Sequence, residues 1–72
     1  MEITYSPDID AMNITLNENE IVKTIEYRPH IYFDLDAEGN IVNIEIHTAS
    51  NLVAMPGEIH YMIFEAAKKV SS

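Results

Sequence analysis

Apolar and polar residues alternate with a period of two through the first two thirds of the chain, the pattern of half-buried β-strands. Glu2 to Ser6 places Ile3 and Tyr5 on one face. Ser6-Pro7-Asp8 is a turn cluster in which proline supplies the fixed φ of an early turn position. Alternation resumes with Met12, Ile14 and Leu16 against Asn13 and Thr15, and the two segments read as a hairpin. After a polar break at Asn17 to Glu20, Ile21 to Tyr27 is β-rich, and Arg28-Pro29 interrupts it. His30 to Asp36 then carries Ile31, Phe33 and Leu35 on one face, with Tyr32 and Asp34 on the other. Asp36-Ala37-Glu38-Gly39-Asn40 reads as a hairpin loop with Gly39 at positive φ. Ile41 to His47 returns with Val42, Ile44 and Ile46 inward and Asn43, Glu45 and His47 outward.

The period changes near the C-terminus. Apolar residues at Ile59, Met62, Ile63, Ala66, Ala67 and Val70 follow the stripe of an amphipathic helix. Pro56 suits its first turn, and Glu58 and Lys68-Lys69 complement its dipole. Tyr61 and Phe64 fall at the stripe's margin, as core-edge or partner contacts. The expected fold is a single α+β domain over 1–72, with an antiparallel β-meander of about five short strands in 1–50. A helix over 56–70 is expected to pack on the sheet. Five strands at about 4.8 Å spacing make a sheet roughly 20–25 Å wide. One helix covers about 10 Å of that width, so a homodimer is expected to cover the remainder.

The 72 residues include no cysteine, which removes disulfides and thiolate metal sites. Twelve acids against four bases give a net charge of −8. The bases Lys23, Arg28, Lys68 and Lys69 are scattered and form no cationic stripe for nucleic acid or anionic membranes. There is no basic segment leading into an apolar one, and no apolar run near the roughly 20 residues that span a bilayer. A cytoplasmic protein follows as the expectation, with a basic protein as its partner.

Candidate chemistry is sparse. From Asp34 to Glu45 the chain nearly reproduces a calcium loop, with acids at Asp34, Asp36, Glu38 and Glu45 and a glycine at Gly39. Its flanks alternate as strands rather than helices, so the first reading is a hairpin turn with acidic edges. Calcium binding through Asp34, Asp36 and Glu38 is the alternative. His30, His47 and His60 match no zinc spacing. The pairs Asp8 with Asp10 and Asp34 with Asp36 lie in or beside turns, where water screens them from acid–base work. The serines Ser6, Ser50, Ser71 and Ser72 lack a glycine elbow and a paired base. No catalytic residue, metal ligand or cofactor is assigned, and the chain reads as non-enzymatic.

Two stretches carry a family resemblance. Ile3-Thr4-Tyr5-Ser6-Pro7-Asp8-Ile9-Asp10-Ala11-Met12-Asn13-Ile14-Thr15-Leu16 resembles the pattern I-x-Y-D-P-x-x-D-A-L-x-I-x-L. Phe33 to Ser50 resembles L-D-Y-D-x-D-G-x-V-x-G-I-E-I-L-x-A-S. Together they resemble the small bacterial and archaeal family called domain of unknown function 2283, with Ser6 for its usual Asp and Asn43 for a common Gly. The resemblance implies a short β-meander with a variable C-terminal segment. Some members are encoded beside small toxin-like proteins, which implies an antitoxin-like, partner-binding role. It carries over no catalytic residue. The expected function is therefore a protein–protein interaction module that binds a basic partner.

Overall fold

The computed structural model describes residues 1–64. Five strands form one antiparallel sheet: β1 (Glu2–Ser6), β2 (Ala11–Thr15), β3 (Lys23–Arg28), β4 (Ile31–Leu35) and β5 (Ile41–His47). A short 3-10 turn, Ala49–Asn51, follows β5.

The turns form where the residue chemistry permits them. Ile9 N–H donates to the Ser6 carbonyl at 3.3 Å, closing a turn with Pro7 at its second position. Between β3 and β4, Pro29 precedes His30 at φ 74°, which matches the third position of a type II turn. Between β4 and β5, Gly39 has φ 87° as expected. Asp36 organises that loop: one carboxylate oxygen, Oδ1, accepts the N–H groups of Glu38 and Asn40, both at 2.9 Å.

Strand order corrects the expected meander. The order is β1-β2-β5-β4-β3, so β2 pairs with β5 rather than with β3. The connection after β2 crosses the ends of β5 and β4 to reach the far edge. Three hydrogen bonds pin it there: Asn17 Nδ2 to the Ile41 carbonyl, Asn19 Nδ2 to Asp36 Oδ2, and Val22 N–H to the Leu35 carbonyl. The crossing places β5, the longest strand, at the centre of the sheet, and Val42 becomes buried there. At the opposite end, Ala49 is buried where its N–H meets the Asp10 carbonyl at 2.8 Å.

The α+β class is corrected as well. The described residues contain five strands and a single 3-10 turn, and 56–64 form no helix. The remainder of the expected 56–70 helix lies outside the described residues. Two physical reasons account for the misreading. Ile59, Tyr61 and Ile63 alternate as well as they follow a helical stripe, because nearly every position there is apolar. A short helix beginning beside Gly57 also needs a packing surface to offset its nucleation cost. The side chains expected on the sheet are instead open: Ile59, Met62 and Ile63 are all exposed, as are Tyr61 and Phe64.

Candidate functional site

Strand register divides the side chains between two chemically distinct faces. Directly opposed residues share a face in antiparallel pairing. One row runs across all five strands as Ile3, Ile14, Ile44, Phe33 and Ile25. The adjoining row is Tyr5, Met12, Ile46 and Ile31. Tyr27 stacks on Phe33 with ring centroids 4.9 Å apart. Two bases border this face on the β3 edge: Lys23 beside Ile25, and Arg28, which the register shift after Glu26 sets opposite Ile31. Of its members Met12 is buried, while Ile14, Ile31, Phe33, Ile44 and Ile46 stay half-buried and Ile3 and Ile25 are exposed. No large side chain among the described residues is fully buried.

The opposite face is polar and internally bonded. Its central row is Glu2, Thr15, Asn43, Asp34 and Thr24. Asp34 is 3% exposed and Asn43 8% exposed. Thr24 Oγ1 donates to Asp34 Oδ1 at 2.6 Å, and Asn43 Nδ2 donates to Asp34 Oδ2 at 2.9 Å. Asn43 Nδ2 also donates to Asn13 Oδ1 at 3.0 Å, while Thr15 Oγ1 donates to Asn43 Oδ1 at 2.8 Å. Every buried side-chain polar atom among the described residues has a partner.

Glu45 lies diagonally across from Asp34 on this face, opposite Tyr32. Burial pushes the Asp34 carboxyl upward, but hydrogen bonds from Glu45, Thr24 and Asn43 outweigh it and hold it below the usual range. Glu45 moves the other way: its hydrogen bond to Asp34 raises it most, and burial adds to that, against the pull of His47. The two carboxyls titrate as a pair, with Glu45 keeping its proton to higher pH than Asp34. His47 Nε2 lies 3.3 Å from Glu45 Oε1, and its ring tilts against Tyr32 at 4.9 Å.

A second polar constellation ties the ends of the matched motifs together. Tyr5 Oη and Ser50 Oγ each donate to Asp10 at 2.7 Å, and the Ser50 N–H donates to Asp10 Oδ1 at 3.0 Å. The Ser50 hydroxyl, with help from Tyr5, holds the Asp10 carboxyl low. The same bond to Asp10 raises the Tyr5 hydroxyl. Asp10 sits at φ 53°, a left-handed conformation that aspartate tolerates better than most residues. This arrangement is a staple between the first hairpin and the chain after β5.

Residues 2–50 match the family model described as a protein of unknown function, DUF2283. The chain belongs to this family. No curated protein and no solved structure matches this DUF2283 chain. Within the matched residues, Tyr5, Asp10 and Ser50 form the staple, Asp34 and Glu45 the carboxyl pair, and Asp36 and Gly39 the turn.

The acids of the calcium-like stretch separate in the fold. Asp34 enters the polar ladder. Asp36 spends its oxygens on the loop, accepting from Glu38, Asn40 and Asn19. The N–H of Asn40 does most to hold the Asp36 carboxyl low. Among the described residues no three His, Cys, Asp or Glu side chains are grouped to hold a metal, and no helix there is long and apolar enough to cross a membrane. Sequence reasoning missed the ladder of Asn13, Thr15, Thr24, Asp34 and Asn43. A signal was present, since Asn and Asp are depleted in strands and three of them stand mid-strand here.

Proposed function

We propose that the chain is a non-enzymatic protein-association module whose apolar sheet face is completed by another protein surface. The carrying observation is the five-strand row from Ile3 to Ile25, left half open in a chain with no large side chain fully buried among the described residues. Contiguous apolar surface of this kind marks interaction sites. The polar face needs no partner to satisfy it. Its acids and the net charge of −8 suit a basic protein as a further partner, the antitoxin-like role the family resemblance implies. Cytoplasmic residence is part of the same reading, supported by the absence of cysteine.

Two measurements on the purified chain test it. An open face binds a hydrophobic dye such as anilinonaphthalene sulfonate. A face covered by another chain instead makes the urea midpoint rise with protein concentration. A chain that shows neither, with a concentration-independent midpoint and no dye bound, carries a closed core and sinks the proposal.

A further inference from the structure

We infer that the surface completing the sheet face is a second copy of the same chain, packed face to face, with the Ile59–Phe64 segment of each copy joining the contact. The inference rests on the association reading above and names the occupant of that face.

Charge decides between occupants. The acids on the strands, Glu2, Glu26, Asp34 and Glu45, all fall on the polar face or at its margin. The apolar face carries no acid for a basic partner to pair with, and its bordering charges, Lys23 and Arg28, are themselves basic. With its charges confined to the β3 edge, the rest of the face is uncharged and can meet its own copy, as a two-fold contact requires. Two packed sheets lie about 10 Å apart, so the outward polar faces stand roughly 20 Å from one another, beyond the Debye length of about 8 Å at physiological salt. The charge of −8 per chain therefore opposes this packing weakly at physiological salt and strongly only when salt is low.

Area decides what else takes part. The face projects to roughly 20 by 17 Å, about 350 Å², whereas a stable interface needs about 800 Å² from each partner. The shortfall is matched by the segment beside β1. Ile59 and Tyr61 line a recess of about 390 Å³ with Met1 and Ile3, which joins the segment to the margin of the face. Its apolar side chains run from 52% exposed at Ile59 to 83% at Phe64, leaving roughly 500 Å² more to bury.

Sedimentation equilibrium of the full chain from about 5 to 200 µM is the test. The expected result is a dimer whose dissociation constant rises about tenfold or more in Phe64→Asp and in Ile3→Asp. Phe64 is open in the single chain, so a residue without a role in association would leave that constant unchanged. Thr4→Glu, on the polar face, should shift it less than about threefold. In a mixed-labelled sample, isotope-filtered spectra should show methyl contacts between Ile14 and Ile44 of different copies. A monomer throughout the range that binds the hydrophobic dye overturns the second copy while leaving the association reading intact. A monomer that binds no dye overturns both. A dimer indifferent to Phe64→Asp and Ile3→Asp overturns the face-to-face contact.

Discussion

Replacing Glu45 by Gln asks whether the Asp34–Glu45 contact depends on a shared proton. Glu45 is raised in the folded chain, so the stability it contributes is full below its unfolded value and is lost as pH rises through the folded one. Asp34 is lowered, so its contribution is present above its unfolded value and lost as pH falls through the folded one. The contact therefore stabilises most in a window that brackets the ordinary carboxylate range near about pH 4. At pH values well above that window the pair holds two like charges. A glutamine amide can donate to Asp34 at every pH. A hydrogen bond to a charged acceptor contributes about 1.5–3 kcal/mol. The Glu45 side chain keeps 30% of its exposure, and competition from water reduces the expected gain to about 1 kcal/mol. In a domain of this size that raises Tm by about 4–8 °C at neutral pH. Thermal melts followed by circular dichroism, at one protein concentration and fixed ionic strength, supply the comparison. The wild-type and variant curves should converge near pH 4 and separate toward pH 8, with the variant higher. Parallel curves, or a variant less stable than wild type at neutral pH, would refute the shared proton.

Three further outcomes follow from the turns, the staple and the charge pattern. A Cβ at Gly39 meets no atom within 4 Å, so Gly39→Val should cost only the backbone term of positive φ; that is about 1–2 kcal/mol, and urea unfolding with a larger loss would show a contact the structure lacks. Asp10→Ala should lower the urea midpoint more than Asp10→Asn, because the amide oxygen still accepts from Ser50 or Tyr5; equal losses would deny the staple. The wild-type advantage over Asp10→Ala should also fade in acid, as pH drops through the lowered Asp10 value. Addition of EDTA should leave Tm where it was, and a clear fall would mean that a metal stabilises the folded chain.

The strands were legible because most of them alternate within themselves and turn or polar breaks separate them, and Gly39 announced its turn. Strand neighbours were not legible. Alternation tells which face a residue joins, but a pattern such as Met12, Ile14 pairs equally well with Ile25 or with Ile44. The choice was made by the connection from Leu16 to Val22, whose amides bond to the ends of β4 and β5. The helix failed for the opposite reason. Ile59 to Phe64 is apolar at too many positions for either period to exclude the other. At the polar face, Asp34 and Asp36 looked like a pair of loop acids. A register shift after Asp34 and the turn at Asp36 send them to different work, and no local pattern records that separation.

Asn43 offers the sharpest check on the polar ladder, because it bonds to Asn13, Thr15 and Asp34 at once. Asn43→Gly removes donors from Asp34 Oδ2 and Asn13 Oδ1 and an acceptor from Thr15 Oγ1. Two neutral hydrogen bonds at about 1 kcal/mol each and one to a carboxylate at about 1.5–3 kcal/mol set an upper limit. Water entering the vacated space returns part of this, while glycine in a strand interior adds about 0.5–1 kcal/mol. The expected loss is about 3 kcal/mol, a large share of the roughly 4–11 kcal/mol typical of a domain this size. Backbone flexibility alone accounts for only the smaller part, so a loss under about 1 kcal/mol would mean that the ladder contributes nothing. A double-mutant cycle with Asp34→Asn separates the two terms. If Asn43 acts through Asp34, the combined loss should fall short of the sum by about 1 kcal/mol or more. Strict additivity in urea unfolding would show that the two side chains are neighbours without being coupled, each contributing to stability through its other partners.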